Sequence, residues 1–189
     1  MKIFKLYGKQ EVAGKAKETL QSMEDNIGFV PNVFSAIAAS ESALAAFVDM
    51  NNCFTNSLFS QIEQQIILLA TSTENQCGYC VAGHTTFSEM QGIPKVYIEA
   101  MRNNQKLPNG KLEALNQFTR SLVINRGNVS DEHVKNFLSA GYKQSDVINL
   151  ILGISIKTFS NLTSILMDIP LDAAFEKNKW SKPINRIAA

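Results

Sequence analysis

The segment Glu74-Asn75-Gln76-Cys77-Gly78-Tyr79-Cys80-Val81-Ala82-Gly83-His84 holds two of the three cysteines of a 189-residue chain and one of its two histidines. A C-x-x-C pair at the start of a helix brings two sulfurs close enough to bridge. The helix N-terminus lowers a thiol pKa by favouring the anion. Residues four apart on a helix share a face, with β-carbons about 5–6 Å apart, so His84 lies one turn below Cys80 and two turns below Cys77. An imidazole there can take the thiol proton, directly or through one water, and generate the thiolate that attacks an electrophile. Proximity to His84 therefore points to Cys80 as nucleophile and Cys77 as resolving thiol. Thioredoxin-type sites use the opposite order.

Other chemistries compete for the same residues. A Cys-Cys-His group can bind zinc, but structural zinc sites gather a second ligand pair, and Cys53 and His133 have no pairing of their own. An inert buried cysteine pair is the other alternative. His133, following Ser130-Asp131-Glu132, reads as a solvated surface histidine, and Cys53 as core or interface packing.

Apolar residues recur at three- and four-residue spacing and no sustained alternation occurs, which predicts an all-α, single-domain helical bundle. Helices are expected over residues 10–25, 34–39, 41–53, 60–72, 77–91, 94–101, 111–125, 130–141 and 145–168. Ser60 and Glu63 form a capping box at the start of the fourth. Gly28, Pro31, Gly92, Pro94 and Gly141 mark breaks. The apolar run from Val147 to Met167 is interrupted by Asn149, Ser155, Lys157, Ser160 and Asn161, so it reads as a core helix with one polar edge rather than a bilayer span. Its apolar circumference predicts burial on all sides, in part by a neighbouring subunit. The tail after Phe175 turns polar and is expected to dock loosely or be disordered.

With 18 Lys+Arg against 17 Asp+Glu, 45% apolar and 19% charged residues, the composition is that of one ordinary globular domain. Such a domain buries roughly 70% of its unfolded surface and needs no disulfide scaffold. The balanced charge excludes electrostatic nucleic-acid binding. The opening residues contain no signal-peptide core, and few cysteines fit a reducing, cytoplasmic location.

C-x-x-C-x-x-x-H on a helix of a small all-helical protein resembles the alkyl hydroperoxidase D-like, peroxidase-related branch of the carboxymuconolactone decarboxylase superfamily. Gly28-Phe29-Val30-Pro31-Asn32 and Thr158-Phe159-Ser160-Asn161 are similar to sequence at matching places there, so the resemblance spans about residues 25 to 172 of a single domain over 1–189. It implies a peroxiredoxin-like antioxidant reaction without a cofactor. Cys80 attacks the hydroperoxide, Cys77 condenses with the sulfenic acid, and a dithiol or thioredoxin-like reductant restores the pair. It also implies a homo-oligomer, trimer or hexamer; the balanced charge and the interrupted apolar run predict no nucleic-acid or membrane partner. The family relay pairs the motif histidine, here His84, with a glutamate twelve residues before the first cysteine; this chain has Gln65. A neutral amide orients a partner but takes up no proton. Glu63 and Glu74 are candidate substitutes, against cap and solvated-surface readings respectively. Tyr79 either donates to a thiolate or packs. A non-enzymatic dithiol redox sensor, and less readily a lactone decarboxylase, are the alternative functions.

Overall fold

The computed structural model describes residues 4–182, so expectations for residues 1–3 at the amino end and 183–189 of the polar tail lie outside the described residues. Nine helices follow in order among the described residues: α1 (Gly14–Ile27), α2 (Asn32–Ile37), α3 (Glu41–Thr55), α4 (Gln61–Glu74), α5 (Gly78–Met90), α6 (Lys95–Arg102), α7 (Gly110–Ile124), α8 (Asp131–Ser139) and α9 (Gln144–Leu166). A 3₁₀ turn at Ala173–Asn178 follows α9. The all-α expectation holds.

Local chemistry sets the boundaries. Ser60 donates its backbone N–H to the Glu63 carboxylate at 2.9 Å and its hydroxyl at 2.7 Å, which anchors the start of α4. The side chains of Ser40, Asn109 and Ser130 accept the N–H three residues on at the starts of α3, α7 and α8. Each such cap is worth about 1 kcal/mol. Two starts differ from the periodicity. The chain enters α1 through Gly14 at φ 57°, so that helix begins four residues late; α2 begins early because Pro31, extended at its N-cap, leads directly into it.

The centre of the bundle is α4, buried almost continuously from Gln65 to Thr73 and packed against α5, α7 and α9. Its Ile66, Ile67 and Leu69 join Leu20, Leu44, Leu115 and Leu150 in the core, each fully buried. Every such aliphatic side chain contributes roughly 1.5–3 kcal/mol.

Within one chain the 23-residue α9 is buried on one face only, which leaves open the part of the expected burial assigned to a neighbouring subunit. Its polar edge faces inward: Lys157, Ser160, Asn161 and Ser164 are buried with Leu150, Gly153 and Ile156. Its outer face exposes Ile148, Ile151, Leu162, Ile165 and Leu166, between 43% and 72% accessible. By length and composition alone α9 would span a bilayer, with a mean hydropathy of 1.2 in its best window. Its seat on α3 and α4 depends on Gly153, where a β-carbon would come within 2.6 Å of Phe54 and 2.9 Å of Ile67. Gly153→Ala is expected to destabilise the chain by about 1–3 kcal/mol, despite better intrinsic helix propensity, because two packed side chains must move. Chemical denaturation would measure it; unchanged or increased stability would show that the interface yields freely.

The polar tail is not loose where it is described. Arg102 donates to the carbonyls of Asn178 (3.1 Å) and Lys179 (3.2 Å), Asn178 donates to Thr86 (3.0 Å), and the Trp180 indole donates to the Arg102 carbonyl (3.0 Å). Phe175 anchors this strap, 2% exposed. Cys53 is exposed, which excludes the core half of its expected core or interface packing, and His133 is exposed as expected.

Candidate active site

Between α4 and α5 the chain reverses through Gln76 at φ 57°, a left-handed conformation that costs about 1 kcal/mol or more in a non-glycine residue. The reversal lets Cys77 donate its N–H back to the Ser72 carbonyl at 3.0 Å and makes it the N-cap of α5. There its sulfur accepts the Cys80 N–H at 3.3 Å. Gly78 between the cysteines is required by the strap, since a β-carbon would lie 2.9 Å from the Trp180 carbonyl oxygen. Both thiols are free and buried, 1% and 3% exposed.

The two sulfurs differ electrostatically. Burial pushes the Cys80 thiol up, but hydrogen bonding to Cys77, the Lys157 charge, and hydrogen bonds with Ser164 and Asn161 outweigh it, lowering the pKa to about 6. The Ser164 hydroxyl oxygen is 3.7 Å from the Cys80 sulfur and donates once that sulfur is a thiolate. Cys77 is raised, by its hydrogen bond to the Cys80 sulfur, by burial and by the Cys80 charge. Only Cys80 of the pair lines the main cavity.

Both ring nitrogens of His84 are occupied. Nδ1 lies 3.0 Å from Gln65 Oε1, and Nε2 lies 2.8 Å from Lys157 Nζ. An ammonium only donates, so Nε2 is the acceptor and Nδ1 carries the hydrogen given to Gln65. Gln65 in turn donates its amide to Gln91 at 3.2 Å. Burial, then the Lys157 cation, holds His84 well below its usual pKa, so the ring is neutral. Gln65 thus stands where it can orient the imidazole.

The other candidates are engaged by other partners, although Tyr79 shares a cavity lining with Cys80 and His84. The Glu63 carboxylate is consumed by Ser60 and by the Tyr142 hydroxyl at 2.8 Å. Glu74 is half-buried and its carboxylate pairs with the buried Arg120 of α7. Tyr79 donates its hydroxyl to Asp172 at 2.5 Å and accepts the Val33 N–H at 3.2 Å, so it ties α5 to α2 and to the strap and donates to no thiolate. Burial and the Asp172 carboxylate push its phenol up. Lys157, Asn161, Ser164 and Asp172 were not among the residues expected at the site. The signal for the first three lay in the polar interruptions of an apolar helix.

Above Cys80, His84 and Lys157 opens a cavity of about 620 Å³, walled by Met23, Phe34, Phe47, Phe87 and Phe175. That volume is within the range of small-molecule sites. Among the described residues no cluster of three or more His, Cys, Asp or Glu side chains is placed to hold a metal ion.

No family model matches the sequence, and no curated protein matches it. Solved structures do. An uncharacterised peroxidase-related protein with the alkylhydroperoxidase AhpD core, from Ralstonia eutropha JMP134, superposes with a TM-score of 0.82 at 20% identity, over 91% of this chain and 93% of that one. A peroxidase-related protein from Silicibacter sp. TM1040 gives 0.78 at 19% identity, covering 87% and 88%. The debrominase Bmp8, as a variant in complex with 2,3,4-tribromopyrrole, gives 0.79 at 17% identity, covering 93% and 94%. At these identities the likeness is one of architecture: the chain has the all-helical fold of the alkylhydroperoxidase AhpD core, a fold that carries more than one activity.

Proposed function

We propose that this chain is a thiol-dependent peroxidase that reduces organic hydroperoxides through Cys80 and Cys77. One observation carries the reading: the Cys80 thiol, its pKa lowered, lines an aromatic-walled cavity, while the Cys80 backbone N–H is donated to the sulfur of a second buried cysteine. The Cys80 thiolate attacks the outer oxygen of RO–OH; the S–O bond forms as the O–O bond breaks. Sulfur is oxidised to a sulfenic acid and the peroxide leaves as ROH after taking up a proton. Cys77 then attacks the Cys80 sulfur, its proton leaves with the displaced hydroxyl as water, and the disulfide forms. A dithiol or thioredoxin-like reductant restores both thiols, so the reaction belongs in a reducing compartment such as the cytoplasm. The aromatic walls favour an apolar R group. The outward apolar stripe of α9 supports a homo-oligomer, trimer or hexamer, as the working form.

The test is peroxide consumption with cumene hydroperoxide and excess dithiol. Many turnovers per chain are expected. A single oxidation event per chain would instead establish a redox sensor. Debromination of 2,3,4-tribromopyrrole without peroxide turnover would replace this reading with the activity named for the debrominase neighbour.

A further inference from the structure

Lys157 is the odd residue of the site. It is 6% exposed, on a helix otherwise apolar for most of its length, and among the described residues no carboxylate pairs with its ammonium. Its one hydrogen-bond partner among the described residues is the neutral imidazole of His84, at 2.8 Å. An ammonium taken out of water without a counter-charge is penalised by several kcal/mol. The titratable groups around it are few. Cys77, Cys80 and His84 come from α5; α4 offers the neutral Gln65; Tyr79 and Asp172 are bonded to each other; Glu18 of α1 lies on the cavity wall and is exposed. The group able to balance the charge at the cavity floor is the Cys80 sulfur.

His84 cannot be the base that ionises this sulfur in the arrangement seen. Its acceptor nitrogen is taken by Lys157 and its donor nitrogen by Gln65. The chain Gln91–Gln65–His84 instead fixes one tautomer and presents one lone pair to the ammonium. A carboxylate at position 65 would favour an imidazolium, with hydrogen on both nitrogens, and would expel Lys157. The glutamine is thus matched to the lysine.

We propose that Lys157, rather than His84, is the acid–base group of this site: its ammonium is the counter-ion that keeps Cys80 ionised and the proton donor to the alkoxide released in the peroxide step. His84, Gln65 and Gln91 are positioning residues. The cycle closes in protons. Lys157 gives one to RO⁻; Cys77 gives one to the leaving hydroxide; the dithiol reductant returns two, one to Cys77 and one through the Cys80 thiol to the Lys157 amine. The donor role rests on the peroxidase reading, whereas the counter-ion role does not.

The experiment therefore has an arm without peroxide. Alkylation of Cys80 by iodoacetamide is followed by peptide mass spectrometry between pH 5 and 9. The wild-type rate is expected to rise through about pH 6 and then level off. In Lys157→Met the rise shifts towards an ordinary thiol, roughly pH 8.5, with a loss of about tenfold or more at pH 6.5. Lys157→Arg keeps the charge and so the alkylation profile, yet slows the peroxide step about tenfold or more, because a guanidinium does not release its proton. An unchanged profile in Lys157→Met overturns the counter-ion role, and full peroxide turnover in Lys157→Arg overturns the donor role. Should Lys157→Met not fold, a wild-type profile that rises only near pH 8.5 overturns the proposal alone. If the wild type consumes no peroxide, the peroxidase reading fails and the alkylation arm still decides the ion pair.

Discussion

Cys80→Ser is expected to lower hydroperoxide consumption by on the order of 10³-fold or more, while Cys77→Ser accumulates a sulfenic acid on Cys80. The reason is the division of labour between two thiols that differ little in burial. Cys80 lines the cavity and is held towards the thiolate by Cys77, Lys157, Ser164 and Asn161, whereas Cys77 has its pKa raised and does not line that cavity. The pH dependence follows with a definite sign. A depressed pKa means that thiolate is present above about pH 6 and is lost as pH falls through that value. The peroxide step should accordingly be nearly flat from pH 7 to 8 and fall about tenfold for each unit below about 5.5. Single-turnover quenching with mass spectrometry reads both the oxidised residue and the profile. A sulfenic acid on Cys77 in the Cys80→Ser protein would reverse the assignment of roles.

Arg120→Ala should be the most destabilising single change on the far side of α4, at about 3–5 kcal/mol. Arg120 is 4% exposed and pairs with Glu74. It also donates to Asn116 Oδ1 at 3.0 Å and to the Met101 carbonyl at 3.3 Å, so one side chain satisfies groups from α4, α6 and its own helix α7. Truncation leaves the partly buried Glu74 carboxylate and the buried Asn116 amide oxygen without this donor. Glu74→Gln, Arg120→Met and their combination form a double-mutant cycle. Urea unfolding of the four proteins is expected to show the double variant more stable than the sum of the single losses implies. Additive losses would show that the pair contributes nothing as a pair.

The legibility of the site tracked sequence distance. Cys77, Cys80 and His84 lie within one helix, and helical spacing alone related them; the Ser60–Glu63 cap is equally local. Gln65 was singled out only because the family resemblance marked its position, and its bond to His84 crosses from α4 to α5. Glu74 was misread because its partner Arg120 is 46 residues away and on another helix. Lys157 was visible as a flaw in an apolar run, but periodicity does not say which way such a flaw faces. Polar residues on an apolar helix ordinarily face outward; here the cavity reverses that. Boundaries failed where backbone geometry overrode periodicity, at Gly14 and Pro31.

Cys80 and three of the four residues that lower its pKa, Lys157, Asn161 and Ser164, are 77 to 84 positions apart, with α6, α7 and α8 between them. A nascent chain that has exposed only α1 to α5 therefore lacks three of the four groups that lower the Cys80 pKa. Reactivity arrives with the docking of α9, and the strap that packs Phe175 over Gly83 and Trp180 over Gly78 follows it. The order of synthesis thus places the groups that favour the Cys80 thiolate on the chain after both cysteines, so the lowered pKa depends on the docking of α9.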